Sequence, residues 1–187
     1  MERKVYIFLA DGFEEIEGLT VVDIMRRAGI CIQTVSIKDT KEIEGSHGIR
    51  LSADLTFKET DFSDADMLVL PGGMPGTRYL KEFQPLRSIL TEYNERGGLI
   101  GAICAAPTVL SDLGFLKEKT ATSFPSCQSQ MDCAEYSTDS VVPDGNIVTS
   151  RGLGTALDFS LALTARLLGE EKAQQIAASV VYNPSKG

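Results

Sequence analysis

The sequence predicts an α/β fold, a mostly parallel sheet with helices on both of its faces, in one domain over residues 1–187. Two patterns carry that prediction. Residues 5–9 (VYIFL), 67–70 (MLVL) and 99–103 (LIGAI) are short apolar runs without charge, the mark of strands covered on both faces. Each run is followed by a turn and then by apolar residues at helical spacing. Strands that alternate with helices pair in parallel through right-handed crossovers.

Residues 5–9 are the first central strand. Asp11 and Gly12 break it, and from Glu14 the positions Ile16, Leu19, Val22, Ile24 and Met25 keep roughly helical spacing until Gly29. Residues 30–37 form the next strand, and the polar segment 38–48, with Gly45 inside it, is a hairpin connection toward residues 49–55. The strand at 67–70 stops at Pro71-Gly72-Gly73, and residues 86–93 belong to the helix that follows. Residues 99–103 run into a helix over 105–113 closed by Gly114, so Cys104 falls on the joint. Two short strands, 141–142 and 147–148, flank the turn at Pro143 to Asn146. Helices close the chain, one opening at Gly154-Thr155, whose apolar positions Leu157, Phe159, Leu161, Leu163 and Leu167 make it largely buried, and one over 170–180.

At 187 residues the chain can bury one core without disulfide staples, and 43% hydrophobic with 24% charged residues is the composition of an ordinary globular protein. Its 26 acidic against 18 basic residues give a charge of -8, which repels phosphate backbones and anionic lipid, so neither nucleic acid nor membrane is an expected partner. No apolar run approaches the roughly 20 residues that span a bilayer, and the N-terminal segment lacks a signal-peptide pattern. Cys31, Cys104, Cys127 and Cys133 form no CxxC pair, so a reducing cytoplasm is expected, with no zinc site and no disulfide. Cys31 reads as packed, and Cys127 and Cys133, six apart in a polar, helical stretch, as pointing to different faces. Neither metal-ligand spacing nor a dinucleotide fingerprint is present, and no cofactor is expected.

Ligands of parallel sheets bind at the carboxyl ends of the strands. That rule gathers residues 11–17, 71–76 and 104–107 at one edge. A thiol in the first turn of a helix feels the macrodipole and unpaired N–H groups, which favour the thiolate at Cys104. Small neighbours, Gly101, Ala102, Ala105 and Ala106, permit a sharp nucleophile elbow there. The competing reading is a small buried hydrophobe, as most free cysteines are. The single histidine, His47, lies in the polar hairpin segment, remote from the strand ends, which weakens a Cys-His dyad and a cysteine protease. A carboxyl remains. Glu17 sits one turn inside the first helix, and pointing inward it would be desolvated, protonated at neutral pH and able to donate to a thiolate. Glu14 and Glu15 read as solvated first-turn residues complementing the helix dipole.

Five segments, ADGFEEIE at 10–17, VDIMRRAGI at 22–30, VLPGG at 69–73, AICAAPT at 102–108 and TSRGLGT at 149–155, closely resemble the ThiJ/PfpI superfamily, in the branch that holds the Parkinson-disease-associated protein deglycase. The resemblance runs over nearly the whole chain. It implies a flavodoxin-like fold (a class I glutamine amidotransferase-like domain), with Cys104 as the elbow nucleophile, Glu17 as its partner, and the backbone N–H groups of Gly73 and Ala105 as an oxyanion site. Gly72, Phe124 and Arg151 are expected nearby, Arg151 as a loop anchor. The activity implied is a cofactor-free glyoxalase or deglycase acting on 2-oxoaldehydes such as methylglyoxal and on their adducts. The alternative is an oxidative-stress sensor or redox-regulated chaperone in which Cys104 becomes a sulfinate. The resemblance also implies a homodimer with the first helix in its interface, where Arg27 and His47 meet across a twofold axis. Three positions depart from the pattern. Ala105 stands where some members have a histidine, which argues against peptide hydrolysis. Phe124 stands where others have a histidine before proline, and Leu153 where the human relative has proline.

Overall fold

Alternation along the apolar runs decides the layers. The computed structural model describes residues 3–183, so residues 1–2 and 184–187 of the expected domain lie outside the described residues. In chain order the elements begin with β1 (Lys4–Leu9), α1 (Glu15–Arg27), β2 (Cys31–Ser36), β3 (Glu42–Glu44), β4 (Arg50–Ser52), β5 (Leu55–Thr56) and β6 (Met67–Leu70). Next come α2 (Gly76–Glu82), α3 (Gln84–Glu95), β7 (Leu99–Ile103), α4 (Pro107–Asp112), β8 (Thr120–Ala121) and β9 (Glu135–Tyr136). The chain closes with β10 (Val141–Asp144), β11 (Ile147–Ser150), α5 (Ala156–Leu168) and α6 (Glu170–Ser179).

Seven strands form the central sheet in the order β10-β11-β7-β6-β1-β2-β5, parallel throughout except where β10 runs against β11. Val5, Ile7 and Leu9 of β1 enter one core with Ile24 and Met25 of α1, Phe159 and Leu163 of α5 and Ile176 of α6. Tyr6 and Phe8, one residue out of phase, enter the other with Leu80, Leu86, Leu90 and Val109 from α2, α3 and α4. This is the flavodoxin-like α/β architecture. The chain progresses outward one way through β1, β2 and β5 and the other way through β6, β7 and β11. The switch point therefore lies between β1 and β6, and the crevice outside their carboxyl ends is where such a sheet takes its ligand.

Several elements differ from the sequence expectation. Helix α2 was not foreseen, since it is seven residues long and only Gly76, Thr77 and Leu80 are buried. The two-residue strands β8 and β9 carry no periodicity to read. The helix expected from residue 105 begins at Pro107, because Cys104 has φ +65 and residues 104–106 form a turn. The polar hairpin does form, as β3 and β4, but it folds back over the start of α1. Gly12 donates to the Glu44 carbonyl (2.7 Å) and Ser46 to that of Phe13 (2.8 Å).

Candidate active site

Three loops at the carboxyl edge meet at Cys104. After β7 the chain turns so sharply that Cys104 adopts a left-handed backbone, a conformation that only one other non-glycine residue among those described shares. Such a conformation costs an ordinary residue on the order of 1–3 kcal/mol and persists where the surroundings enforce it. Here they do: the Cys104 N–H donates to the Ser150 carbonyl (2.9 Å) and its carbonyl accepts from the Phe124 N–H (2.7 Å). Gly72 supplies the room. A β-carbon there would lie 2.5 Å from both the Cys104 β-carbon and Glu17 Oε2, so only glycine fits between β6 and the pair.

Glu17 reaches the sulfur from the first turn of α1. Its own N–H is capped by Glu14 Oε2 (2.7 Å), and its carboxyl accepts from the N–H groups of Gly72 (3.0 Å) and Leu153 and hydrogen-bonds Cys104. The sulfur in turn accepts from the N–H groups of Gly73 and Ala105. Burial pushes the Glu17 carboxyl up from 4.5 to about 7; its hydrogen bond to Cys104 opposes the rise, and the charge of Glu14 adds to it. Burial also pushes the Cys104 thiol up, the charge of an ionised Glu17 pushes it further, and the two N–H groups oppose both. The direction corrects the expectation of a thiolate favoured by a helix dipole: residue 104 precedes a six-residue helix that starts three positions later. Cys104 gains thiolate character only when Glu17 holds the shared proton. The neutral carboxyl then contributes no charge and donates its own hydrogen bond.

Two other expectations are corrected here. Glu14 and Glu15 are not solvated but 9% and 1% exposed, and His47 is not remote from the strand-end crevice. The β3–β4 hairpin carries His47 onto the start of α1, where its Nδ1 lies 2.9 Å from Glu15 Oε2 and 3.9 Å from Glu14 Oε1. Burial works to raise the Glu15 carboxyl, but hydrogen bonds from the His47 ring and from the His47 and Ile49 N–H groups outweigh it and hold Glu15 at about 2. These three residues are the one group with metal-donor spacing among the described residues, their donor atoms within 4.8 Å of one another. The Glu15 oxygens and Glu14 Oε2 already accept from His47, Ser46 and the Glu17 N–H. The group is thus an ion-pair network tying the hairpin to α1. No residue pattern announced it, since the pairing spans 32 positions.

The remaining expected residues fall as follows. Gly72, Gly73 and Ala105 touch the pair. Phe124 meets Cys104 through its backbone, and its half-exposed ring flanks Gly152, where a β-carbon would be 3.3 Å from the ring and 3.7 Å from Glu17 Oε1. Arg151 lies next to Ser150 in the chain, with its Nη1 buried and without a hydrogen-bond partner. Cys31, Cys127 and Cys133 are free and partly buried.

A cysteine on a strained strand-to-helix turn, facing a buried carboxyl at the switch point of a parallel sheet, defines an α/β protein of the nucleophile-elbow class. The profile of the DJ-1/PfpI family matches residues 3–166, and the chain belongs to that family. It is 37% identical over 187 residues to Protein dj-1beta of Drosophila melanogaster, covering 98% of this chain and 100% of that one. It is 32% identical over 164 residues to the glutathione-independent glyoxalase DJR-1.2 of Caenorhabditis elegans, covering 87% of each. The solved structure of oxidized Toxoplasma gondii DJ-1 superimposes with a TM-score of 0.94 at 33% identity, over 97% of this chain and 100% of that one.

Proposed function

We propose that the protein is a cofactor-independent glyoxalase that converts 2-oxoaldehydes such as methylglyoxal to 2-hydroxy acids, and that performs the same chemistry on their protein adducts as a deglycase. The observation that carries this reading is the Cys104–Glu17 pair, one proton shared between a thiol and a carboxyl raised to about 7. The Cys104 thiolate attacks the aldehyde carbon, and the Glu17 proton goes to the oxygen, giving a hemithioacetal. The resulting Glu17 carboxylate removes the proton from that carbon and returns it to the neighbouring one, while the hydroxyl proton passes from the first oxygen to the second, leaving a thioester of the 2-hydroxy acid. Water cleaves the thioester, releasing the acid, and the thiol proton and Glu17 are restored. The sum is aldehyde plus water with no net redox change. The N–H groups of Gly73 and Ala105, which face the sulfur, would also meet an oxyanion developing on the carbon bonded to it, and the glyoxalase named among the relatives supports this reading.

A second reading has support of its own: a stress sensor or redox-regulated chaperone. Two equivalents of peroxide would convert the Cys104 thiolate to a sulfinate and two waters, and the same N–H groups and a protonated Glu17 would hold it. A family structure is described as oxidized. Either role suits a reducing cytoplasm, and no described helix is long and apolar enough to cross a membrane. A homodimer fits the groove of about 580 Å³ between α1 and α5, lined by Ile16, Leu19, Leu153 and Leu157, each at least 36% exposed.

The test is methylglyoxal consumption without glutathione, with lactate detection, for wild type, Cys104→Ser and Glu17→Gln, alongside mass spectrometry after dilute peroxide. Turnover abolished by both substitutions supports the enzyme. No wild-type turnover, with selective sulfinate at Cys104, overturns it in favour of the sensor.

A further inference from the structure

Two large apolar side chains stand in solvent on separate loops that are fastened to Cys104. Phe124 is 45% exposed and Met74 60%. Phe124 hydrogen-bonds the Cys104 carbonyl through its N–H, and Met74 follows Gly73, whose N–H faces the sulfur. Their exposure is not that of the α1–α5 groove, because neither residue lines it. Nor is Phe124 free to fold away. Thr122 and Ser123 before it are fully buried, the Thr122 N–H bound to Thr149 Oγ1 (2.9 Å) and the Ser123 hydroxyl to Tyr136 (3.3 Å), while Pro125 opens a short 3-10 turn after it. The segment presents the ring beside Gly152. A β-carbon on Gly152 would touch both the ring, at 3.3 Å, and Glu17 Oε1, at 3.7 Å, so the exposed ring stands close beside the pair.

Charge at the site narrows what can lie against that ring. Above about pH 7 the Cys104–Glu17 pair carries a negative charge, the Glu14 carboxyl bonds the Glu17 N–H, and among the described residues no lysine, arginine or histidine side chain hydrogen-bonds either member. An anionic substituent would be repelled there, whereas an apolar one would remove the Phe124 ring from water.

We propose that Phe124, with Met74 on the loop after β6, selects 2-oxoaldehydes bearing a neutral aromatic or bulky apolar substituent over small or anionic ones. The proposal rests on the glyoxalase reading for its substrate and on the mouth of the site for its selectivity.

The test separates the two. Turnover of phenylglyoxal, methylglyoxal and glyoxylic acid is compared for wild type, Phe124→Ala, Phe124→Tyr and Met74→Ala. In parallel, Cys104 is alkylated with N-benzyliodoacetamide, iodoacetamide and iodoacetate. In each case the sulfur–carbon bond forms as iodide leaves, rates are divided by those of free cysteine, and the Cys104 peptide is quantified by mass spectrometry. In wild type the benzyl reagent is expected to outpace iodoacetamide about tenfold, with iodoacetate slowest, and phenylglyoxal to lead methylglyoxal by a similar ratio in kcat/KM. Phe124→Ala collapses both ratios toward one, Phe124→Tyr keeps them, and Met74→Ala lowers them part way. Selective alkylation without turnover of any aldehyde removes the glyoxalase reading and upholds the selective mouth. Equal normalised alkylation rates, or ratios unchanged in Phe124→Ala, overturn the proposal whether or not the protein turns over.

Discussion

The backbone N–H of Gly72 donates to Glu17 Oε2 at 3.0 Å, and a β-carbon on Gly72 would lie 2.5 Å from that oxygen and from the Cys104 β-carbon. The turn after β6 thus sets the distance between the two side chains. Gly72→Ala is expected to separate them, and a misplacement of about 1 Å costs on the order of a hundredfold in rate. Aldehyde turnover falls by that order, and overpacking lowers stability by about 1–3 kcal/mol. Steady-state kinetics with thermal unfolding check both; wild-type turnover in the variant would show that the pair does not depend on this contact.

The shared proton makes a signature in pH. The pair loses its first proton near 7 and its second far higher, since an ionised Glu17 opposes the thiolate. Alkylation of Cys104 by iodoacetamide should rise through about pH 7 and then level off, instead of following a lone thiol. In Glu17→Gln the step near 7 disappears, and reactivity climbs only at higher pH. Rate against pH from 5 to 10 decides; a step that survives in Glu17→Gln would assign it to another group.

Stability carries the same proton with a definite sign. The Glu17 carboxyl is raised from 4.5 unfolded to about 7 folded, so the folded state binds the proton more tightly. Its contribution is full below 4.5 and is lost as pH rises through 7. Glutamine cannot ionise. Relative to wild type, Glu17→Gln should therefore gain about 2–3 kcal/mol between pH 4.5 and 8, seen as a Tm difference that grows with pH. A constant difference would contradict the raised carboxyl.

How much of this was legible follows from the range of the interactions. Residues 5–9, 67–70 and 99–103 showed their strands because two-sided burial leaves no polar residue to blur the pattern. Cys104 and Glu17 could be placed at one edge of the sheet because each sits at the end of an element that announces itself. The surroundings of Glu14 and Glu15 were not, because a first-turn glutamate looks alike whether water or a hairpin covers it. What covers them is His47, 32 residues from Glu15 and on strands only three residues long. The thiol's direction was misjudged for a related reason: the dipole argument needed a helix starting at Cys104, and a positive φ, invisible in composition, delays it to Pro107.

That hairpin gives a prediction of its own. Glu15 Oε1 and Oε2 accept from the His47 N–H, the His47 ring and Ser46. Glu15→Ala leaves these donors unpaired and costs about 1–3 kcal/mol. The wild-type carboxylate is depressed to about 2, so its contribution is present above its unfolded pKa and is lost as pH falls through 2. The penalty in Glu15→Ala should then be full at pH 7 and shrink toward pH 2. Denaturant titrations at pH 7 and pH 3, with hydrogen exchange over residues 42–52, test it; hairpin protection equal to wild type would refute the tether.

The last donor to Glu17 is the backbone N–H of Leu153, and proline has none. Leu153 is 51% exposed and opens a 3-10 turn after an extended Gly152, a place where proline's fixed φ and missing N–H are tolerated. Leu153→Pro should therefore fold. It removes one hydrogen bond that favours the ionised carboxyl, so Glu17 holds its proton to higher pH. The alkylation step at Cys104 should move up from about 7 by roughly one pH unit, and in the plateau the thiolate share should grow, because a carboxyl that keeps its proton leaves the charge on sulfur. Gel filtration alongside the pH profile separates this effect from loss of the α1–α5 face, which Leu153 also lines. A monomer–dimer change without movement of the step would place the role of Leu153 in assembly and not in the proton shared by Glu17 and Cys104.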